Sequence, residues 1–204
     1  MQKVISVVVG YAILICCVSC KKNMTANEYS SYVNNTEHGL KKVMQIDGWE
    51  FTILYRPSEY VMLMENKGNK TGYNFEARRA ELAGTAWFNI SIRRVDGQVT
   101  PLRFGISSSE EYNERLNYYL NGAIKDISLV YGQDTLGPTS YAFETNYNLT
   151  PQETIVAGFI LPGDSKFPTK DLSISFVDRV FGNGIVKATY NTKTLKNIPN
   201  LIYN

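Results

Sequence analysis

A chain of 204 residues makes one domain, or two small ones, with enough length to bury a core. Its 44% hydrophobic and 20% charged residues exclude a disordered chain and one embedded throughout in a membrane. A formal charge of +2 offers none of the clustered cation excess that phosphate backbones select, so nucleic acid is not expected as a partner.

Residues 4–18 are an uncharged run, preceded by Lys3 and followed by Ser19, Cys20, Lys21 and Lys22. The run is short for a spanning helix, which needs about 20 apolar residues, and has the form of a secretory signal. Ending in Cys17-Val18-Ser19-Cys20, it resembles a bacterial lipoprotein signal. That family carries a Leu-(small or branched)-(Gly, Ala or Ser)-Cys box whose cysteine is lipidated and becomes the new N-terminus. Ser19 and Cys20 match, Val18 is tolerated, and Cys17 departs from the family's Leu. Boxes ending at Cys16 or Cys17 fit less well, because Ile15 and Cys16 precede them.

The resemblance implies lipidation at Cys20 and a cell-envelope location, with the membrane as partner through the anchor. An uncleaved anchor and an ordinary secretory signal are the alternatives. In the family, Asp after the lipidated Cys favours the inner membrane. Lys21 stands there instead, which points to the outer membrane of a Gram-negative bacterium. The expected organisation is a signal at 1–19, a lipidated tether at 20–24 and a single domain at 25–204. Cys16, Cys17 and Cys20 are the only cysteines, so the mature domain has no disulfide, no cysteine nucleophile and no cysteine-ligated zinc.

Thr25 and Glu28 have capping-box spacing, predicting a helix over 26–33 with Tyr29, Tyr32 and Val33 inward. Residues 40–46 and 49–55 flank Asp47-Gly48, a two-residue hairpin turn; Trp49, Phe51, Ile53 and Tyr55 alternate with Glu50, Thr52 and Leu54. Pro57 starts a predicted helix through Met64, and 66–73 reads as a loop. A helix over 74–82 leads into a strand over 86–94, and Asp96-Gly97 predicts a hairpin returning over 98–104, interrupted by Pro101. Ser108 and Glu111 repeat the capping box, followed by Tyr112, Leu116, Tyr119 and Leu120 at helical spacing until Asn121-Gly122. Strands are then predicted at 124–131, 141–146, 155–161, 172–177 and 185–190. Helices early and consecutive strands late predict an α+β fold, mainly antiparallel, with a sandwich-like C-terminal half.

The chemistry is sparse. His38 is the single histidine and reads as a solvated turn residue, since neither zinc-ligand partners nor a G-x-S-x-G elbow accompany it. Phe181-Gly-Asn-Gly184 reads as a tight turn rather than a phosphate cradle, because it opens no helix. Glu110 and Glu111 sit where they complement a helix dipole. Arg93 and Arg94 are adjacent on a strand and point to opposite faces, while Arg78 and Arg79 read as a helix surface pair. Lys21 and Lys22 adjoin the lipid and can touch head groups. The 14 tyrosines, with Trp87, either stack on sugars and partners or serve the core; with 18 asparagines they match AT-rich coding. Asp134-Thr135-Leu136 resembles the three-residue O-glycosylation site of some Gram-negative extracytoplasmic proteins.

The expectation is therefore a lipid-anchored, non-catalytic binding or accessory module with an envelope protein or glycan as partner. It has no catalytic residues, cofactor or metal. A carboxylate-dependent glycan hydrolase and a subunit of a larger envelope assembly are the rival readings. Two carboxylates about 5–9.5 Å apart in a cleft would favour the hydrolase.

Overall fold

Two antiparallel sheets face one another, and alternating side chains on their strands explain why. In the computed structural model, which describes residues 22–67, 71–145, 149–163 and 167–203, the chain opens with strand β1 (Asn23–Met24) and helix α1 (Ala26–Asn34). The Glu28 carboxylate accepts from the Thr25 N–H and hydroxyl, both at 2.9 Å, as the capping box predicts. Tyr29 and Val33 are fully buried. Cys20 and the segment that resembles a lipoprotein signal lie outside the described residues.

The hairpin of β2 (Lys41–Ile46) and β3 (Trp49–Arg56) forms in the expected register. Asp47 (φ 46°) and Gly48 (φ 80°) supply the two positive φ values of a type I′ turn. Helices α2 (Ser58–Glu65) and α3 (Phe75–Leu82) follow, then the long strand β4 (Thr85–Arg94). The predicted return strand over 98–104 does not form. Instead Asp96 Oδ1 accepts from Gln98 N, and Thr100 O accepts from Arg103 N and Phe104 N, so the segment coils on itself. Pro101 has no N–H to give a ladder, and the free side of β4 pairs with a strand from much later in the chain.

Helix α4 (Ser109–Asn117) starts with the Ser108 Oγ accepting from Glu111 N at 3.2 Å. The Glu111 carboxylate does not close the box on Ser108. It bonds the Ser107 N–H and hydroxyl instead. The helix runs on through a π turn (Tyr118–Gly122) and a 3₁₀ turn (Ala123–Asp126), which occupy the start of the predicted strand at 124–131. Tyr119 is fully buried, but Leu120 is exposed because the wider turn rotates it outward.

The remaining strands are β5 (Ile127–Tyr131), β6 (Asp134–Leu136), β7 (Ser140–Glu144), β8 (Gln152–Ile160), β9 (Leu172–Asp178) and β10 (Gly184–Tyr190). Helix α5 (Thr192–Lys196) and β11 (Asn200–Leu201) complete the described chain. The first sheet has the order β2-β3-β4-β8-β7 and the second β10-β9-β5-β6. The fold is thus α+β, mainly antiparallel and sandwich-like, with a first sheet drawn from both halves of the chain. A parallel pair, β1 with β11, holds residues 23–24 against the domain, where the sequence predicts tether.

The core lies between the sheets. Phe51, Ile53, Phe88, Ile90, Ile155 and Phe159 from the first meet Leu129, Leu172, Ile174, Phe176 and Val186 from the second, all essentially inaccessible. Each such side chain contributes about 1.5–3 kcal/mol of burial. The sheets are also joined by specific contacts: the Tyr190 hydroxyl donates to Ile53 O at 2.8 Å, and Trp49 stacks on Phe181 with centroids 3.6 Å apart. Helices α2 and α3 cover one end of the outer face, where Val61, Met62 and Leu82 pack on Trp87.

Candidate functional site

Alternation that sends the odd residues of β3 inward sends Glu50, Thr52, Leu54 and Arg56 to the opposite face. The register then brings polar residues from central strands side by side: Glu50 with Arg93 and Gln152, Thr52 with Ser91 and Thr154, Leu54 with Asn89. Asn34 at the end of α1 and Tyr60 on α2 rise on one side, joined by an Asn34 Nδ2 to Tyr60 Oη hydrogen bond of 2.9 Å. Thr150 and Pro151 bound the other side. The result is a groove of about 520 Å³ whose floor is built on rigid strands.

Its side chains are ordered by one another. Arg93 Nε and Nη2 donate to the two Glu50 oxygens at 2.7 and 2.9 Å, and this bidentate pair holds the Glu50 carboxyl below the usual glutamate range. The Ser91 and Thr154 hydroxyls share a hydrogen bond of 3.0 Å, and Gln152 Nε2 donates to Thr154 Oγ1 at 3.3 Å. Outside the lining, Arg56 Nη1 donates to Asn89 Oδ1 at 3.1 Å. Burial pulls the Arg56 guanidinium down from the usual arginine range. Hydroxyls, amides and paired charges laid out on one face of a sheet offer many directional hydrogen bonds, which suits a ligand rich in hydroxyls.

The groove carries two carboxylates, Glu50 and Glu144. They stand on β3 and β7, separated by β4 and β8, so their backbones are about 14 Å apart at ordinary strand spacing. The two are therefore not side by side on neighbouring strands. Glu50, ionised against Arg93, is also unsuited to donating a proton near neutral pH. Among the described residues, no group of three or more His, Cys, Asp or Glu could hold a metal ion.

A second cleft, of about 410 Å³, lies between the β3–α2 corner and the C-terminal segment, lined by Tyr55, Glu59, Thr85, Leu195, Lys196 and Ile198 among others. Much of its wall comes from loop residues such as Pro168, Thr169 and Pro199. Strands position functional groups more closely than loops, so the groove is the stronger candidate.

The residues singled out from sequence fall mostly elsewhere. His38 is exposed in a 3₁₀ turn, stacked on Tyr32 with centroids 4.0 Å apart. Glu110 and Glu111 lie in the first turn of α4. Phe181-Gly-Asn-Gly184 is a turn between strands, organised by the buried Asp178 carboxylate, which accepts from Val180, Phe181 and Asn183 N–H groups and from Asn183 Nδ2. Arg93 joins the groove, whereas Arg94 turns to the other face, pairs with Asp96 and lies over Phe104.

Arg78 and Arg79 do more than coat a helix, since each bridges to α2, Arg78 through Glu65 and Arg79 through Glu59. Tyr29, Tyr55, Tyr60, Tyr119, Tyr131 and Tyr190 are buried, and Trp87 is half-buried against Gly158. Asp134-Thr135-Leu136 forms the edge strand β6, with Asp134 and Thr135 exposed. Asn89, Ser91 and Thr154 were not legible as a site, because each is an ordinary polar strand position until the register aligns them.

No protein-family model matches the chain, and no curated protein matches it. Among solved structures, a DUF4426 family protein from Pseudomonas aeruginosa PAO1 aligns over 75% of this chain and 93% of that chain, with 8% identity and a TM-score of 0.36. A likeness of that size carries no argument about function.

Proposed function

We propose that the protein is a lipid-anchored, non-catalytic module of the cell envelope that binds a glycan in the groove on the outer face of its five-stranded sheet. The anchor rests on the lipobox-like Cys17-Val18-Ser19-Cys20, with lipid on Cys20 and, from Lys21, an outer-membrane destination. The binding role rests on one observation: the row Thr52, Ser91 and Thr154, with Asn89 beside it, presents ordered hydroxyl and amide groups on central strands between two walls. These strands use their backbone groups in the ladders, so side chains do the recognising. The Arg93 pairing that keeps Glu50 ionised supports binding over hydrolysis.

The test has two arms. Labelled palmitate should enter the wild type and not Cys20→Ala, which should accumulate as unprocessed precursor; wild type that takes up no label sinks the anchor. Binding is measured by titration calorimetry against a panel of envelope oligosaccharides. Ser91→Ala combined with Thr154→Val should weaken any binding about tenfold or more, as two lost hydrogen bonds require. Release of reducing ends during the titration would favour the hydrolase instead.

A further inference from the structure

We propose that the end of the domain built from β1, β11 and α5 lies directly on the bilayer, with Lys22, Lys193 and Lys196 against anionic head groups. This rests on the lipid anchor at Cys20 proposed above and adds which face of the domain the membrane covers. The sequence predicts a tether through residue 24, but the domain grips the chain earlier. Asn200 N donates to Lys22 O at 3.0 Å and Ile202 N to Met24 O at 2.9 Å. Asn200 Nδ2 donates to Asn23 Oδ1 at 3.3 Å, and Met24 is buried in the core. Only Lys21 separates Lys22 from Cys20, so the Cα atoms of Cys20 and Lys22 are at most about 7 Å apart. The lipidated residue is therefore held within that distance of a fixed point on the domain.

The strands identify what else lies at that end. Asn200, Leu195 and Lys196 line one cleft with Tyr55 and Thr85, which stand at the end of β3 and the start of β4. Gly39 lies against Thr194 of α5. The opposite end carries the Asp47-Gly48 turn and residues 95–98, since β4 runs from Thr85 to Arg94, about 30 Å of strand. Lys22, Lys193 and Lys196 are exposed and form no ion pair among the described residues. The neighbouring acids are engaged with the fold: the Glu28 carboxylate, which feels Lys22, accepts from Thr25, and Asp171 accepts from the Thr192 N–H and hydroxyl.

Anchor and charge act together here. One lysine at an anionic surface favours binding about fivefold, and a lipid chain joined to a basic patch gives the two signals that stable attachment takes. A protein partner fits this face less well, because the anchor brings the face to the lipid and leaves no span of chain to tilt it away. The groove inherits an orientation from this arrangement. Its Lys41, Leu54 and Asn89 end adjoins the membrane end, and Glu50, Arg93 and Gln152 lie further out along the same strands.

The experiment reconstitutes the lipidated protein in vesicles of phosphatidylcholine, alone or mixed with phosphatidylglycerol, that carry a head-group nitroxide below its saturating density. A thiol-linked fluorophore is placed by Asn197→Cys at the membrane end or by Gln98→Cys at the opposite end, both exposed positions. Asn27→Cys, beside Lys22, replaces Asn197→Cys if urea unfolding shows that variant to be unfolded. With the two ends about 30 Å apart, the label at Asn197→Cys should be quenched severalfold more than the label at Gln98→Cys on both kinds of vesicle. Inserting about ten Gly and Ser residues between Lys21 and Lys22, a reach of about 17 Å, should shrink that contrast on neutral vesicles. Lys193→Gln combined with Lys196→Gln should lower the quenching at Asn197→Cys on anionic vesicles to its level on neutral ones. Equal quenching at the two ends, or a contrast on neutral vesicles that the insertion leaves unchanged, overturns the placement of this face. Quenching that responds neither to phosphatidylglycerol nor to the lysine changes overturns the role of the lysines. In each of these cases protein that floats with the vesicles leaves the anchor standing, whereas protein that does not float overturns the anchor and this inference together.

Discussion

Tyr190 is the most direct probe of how the two sheets are held together. Its ring, 1% exposed, sits beside Tyr55 and Phe88 of the opposite sheet at centroid distances of 6.0 and 5.7 Å, and its hydroxyl donates to Ile53 O at 2.8 Å. Tyr190→Phe removes one buried hydrogen bond and keeps the packing, so the expected cost is about 1 kcal/mol. Tyr190→Ala also empties the space of an aromatic ring, and by analogy with buried Phe→Ala changes it should cost about 3–5 kcal/mol. For a domain of this size the first corresponds to about 2–4 °C in Tm. The second approaches the whole stability of a marginal fold, about 5–15 kcal/mol. Urea unfolding followed by tryptophan fluorescence reads both, because Trp49 lies between the sheets and Trp87 on the outer face. If Tyr190→Ala costs no more than Tyr190→Phe, the sheets are not packed through this residue and the sandwich argument fails at its centre.

Gly158→Ala should destabilise by about 1–3 kcal/mol through overpacking, since a Cβ there would stand 2.8 Å from the Trp87 ring; in a Trp87→Ala background the penalty should vanish, and a urea double-mutant cycle checks this. Asp178→Ala should cost about 2–3 kcal/mol by leaving the Val180, Phe181 and Asn183 N–H groups without their acceptor, read as a lower urea midpoint with an unchanged m-value. Glu50 has a folded pKa depressed by Arg93, so its stabilisation is complete above the unfolded value of about 4.3 and is lost as pH falls through the lower folded value. Glu50→Gln should be less stable than wild type at pH 7, and the gap should close toward pH 3 in acid titrations of the urea midpoint.

Local chemistry settled a large part of this architecture in advance. Asp47-Gly48 can place both turn residues at positive φ, so the β2–β3 hairpin follows from four neighbouring positions and the alternation around them. Thr25 with Glu28, and Ser108 with Glu111, mark helix starts because the capping partners are three residues apart and need nothing from the rest of the chain. The cysteine positions likewise exclude a disulfide in the folded domain whatever its topology.

What surrounds β4 had a different origin. Asp96-Gly97 resembles a hairpin turn as closely as Asp47-Gly48 does, yet the chain beyond it coils on Thr100, and β4 takes β8 as its neighbour across more than fifty residues. Local propensity does not rank a nearby strand weakened by Pro101 against a distant one rich in Ile155, Val156, Ala157 and Phe159; burial in the assembled core does. The groove inherits that dependence. Thr52, Ser91 and Thr154 are three scattered polar residues until pairing of β3, β4 and β8 sets them in one row. Alternation along each strand is written in the sequence, but which strands lie side by side is decided by the free energy of burying their inner faces together, a property of the whole chain.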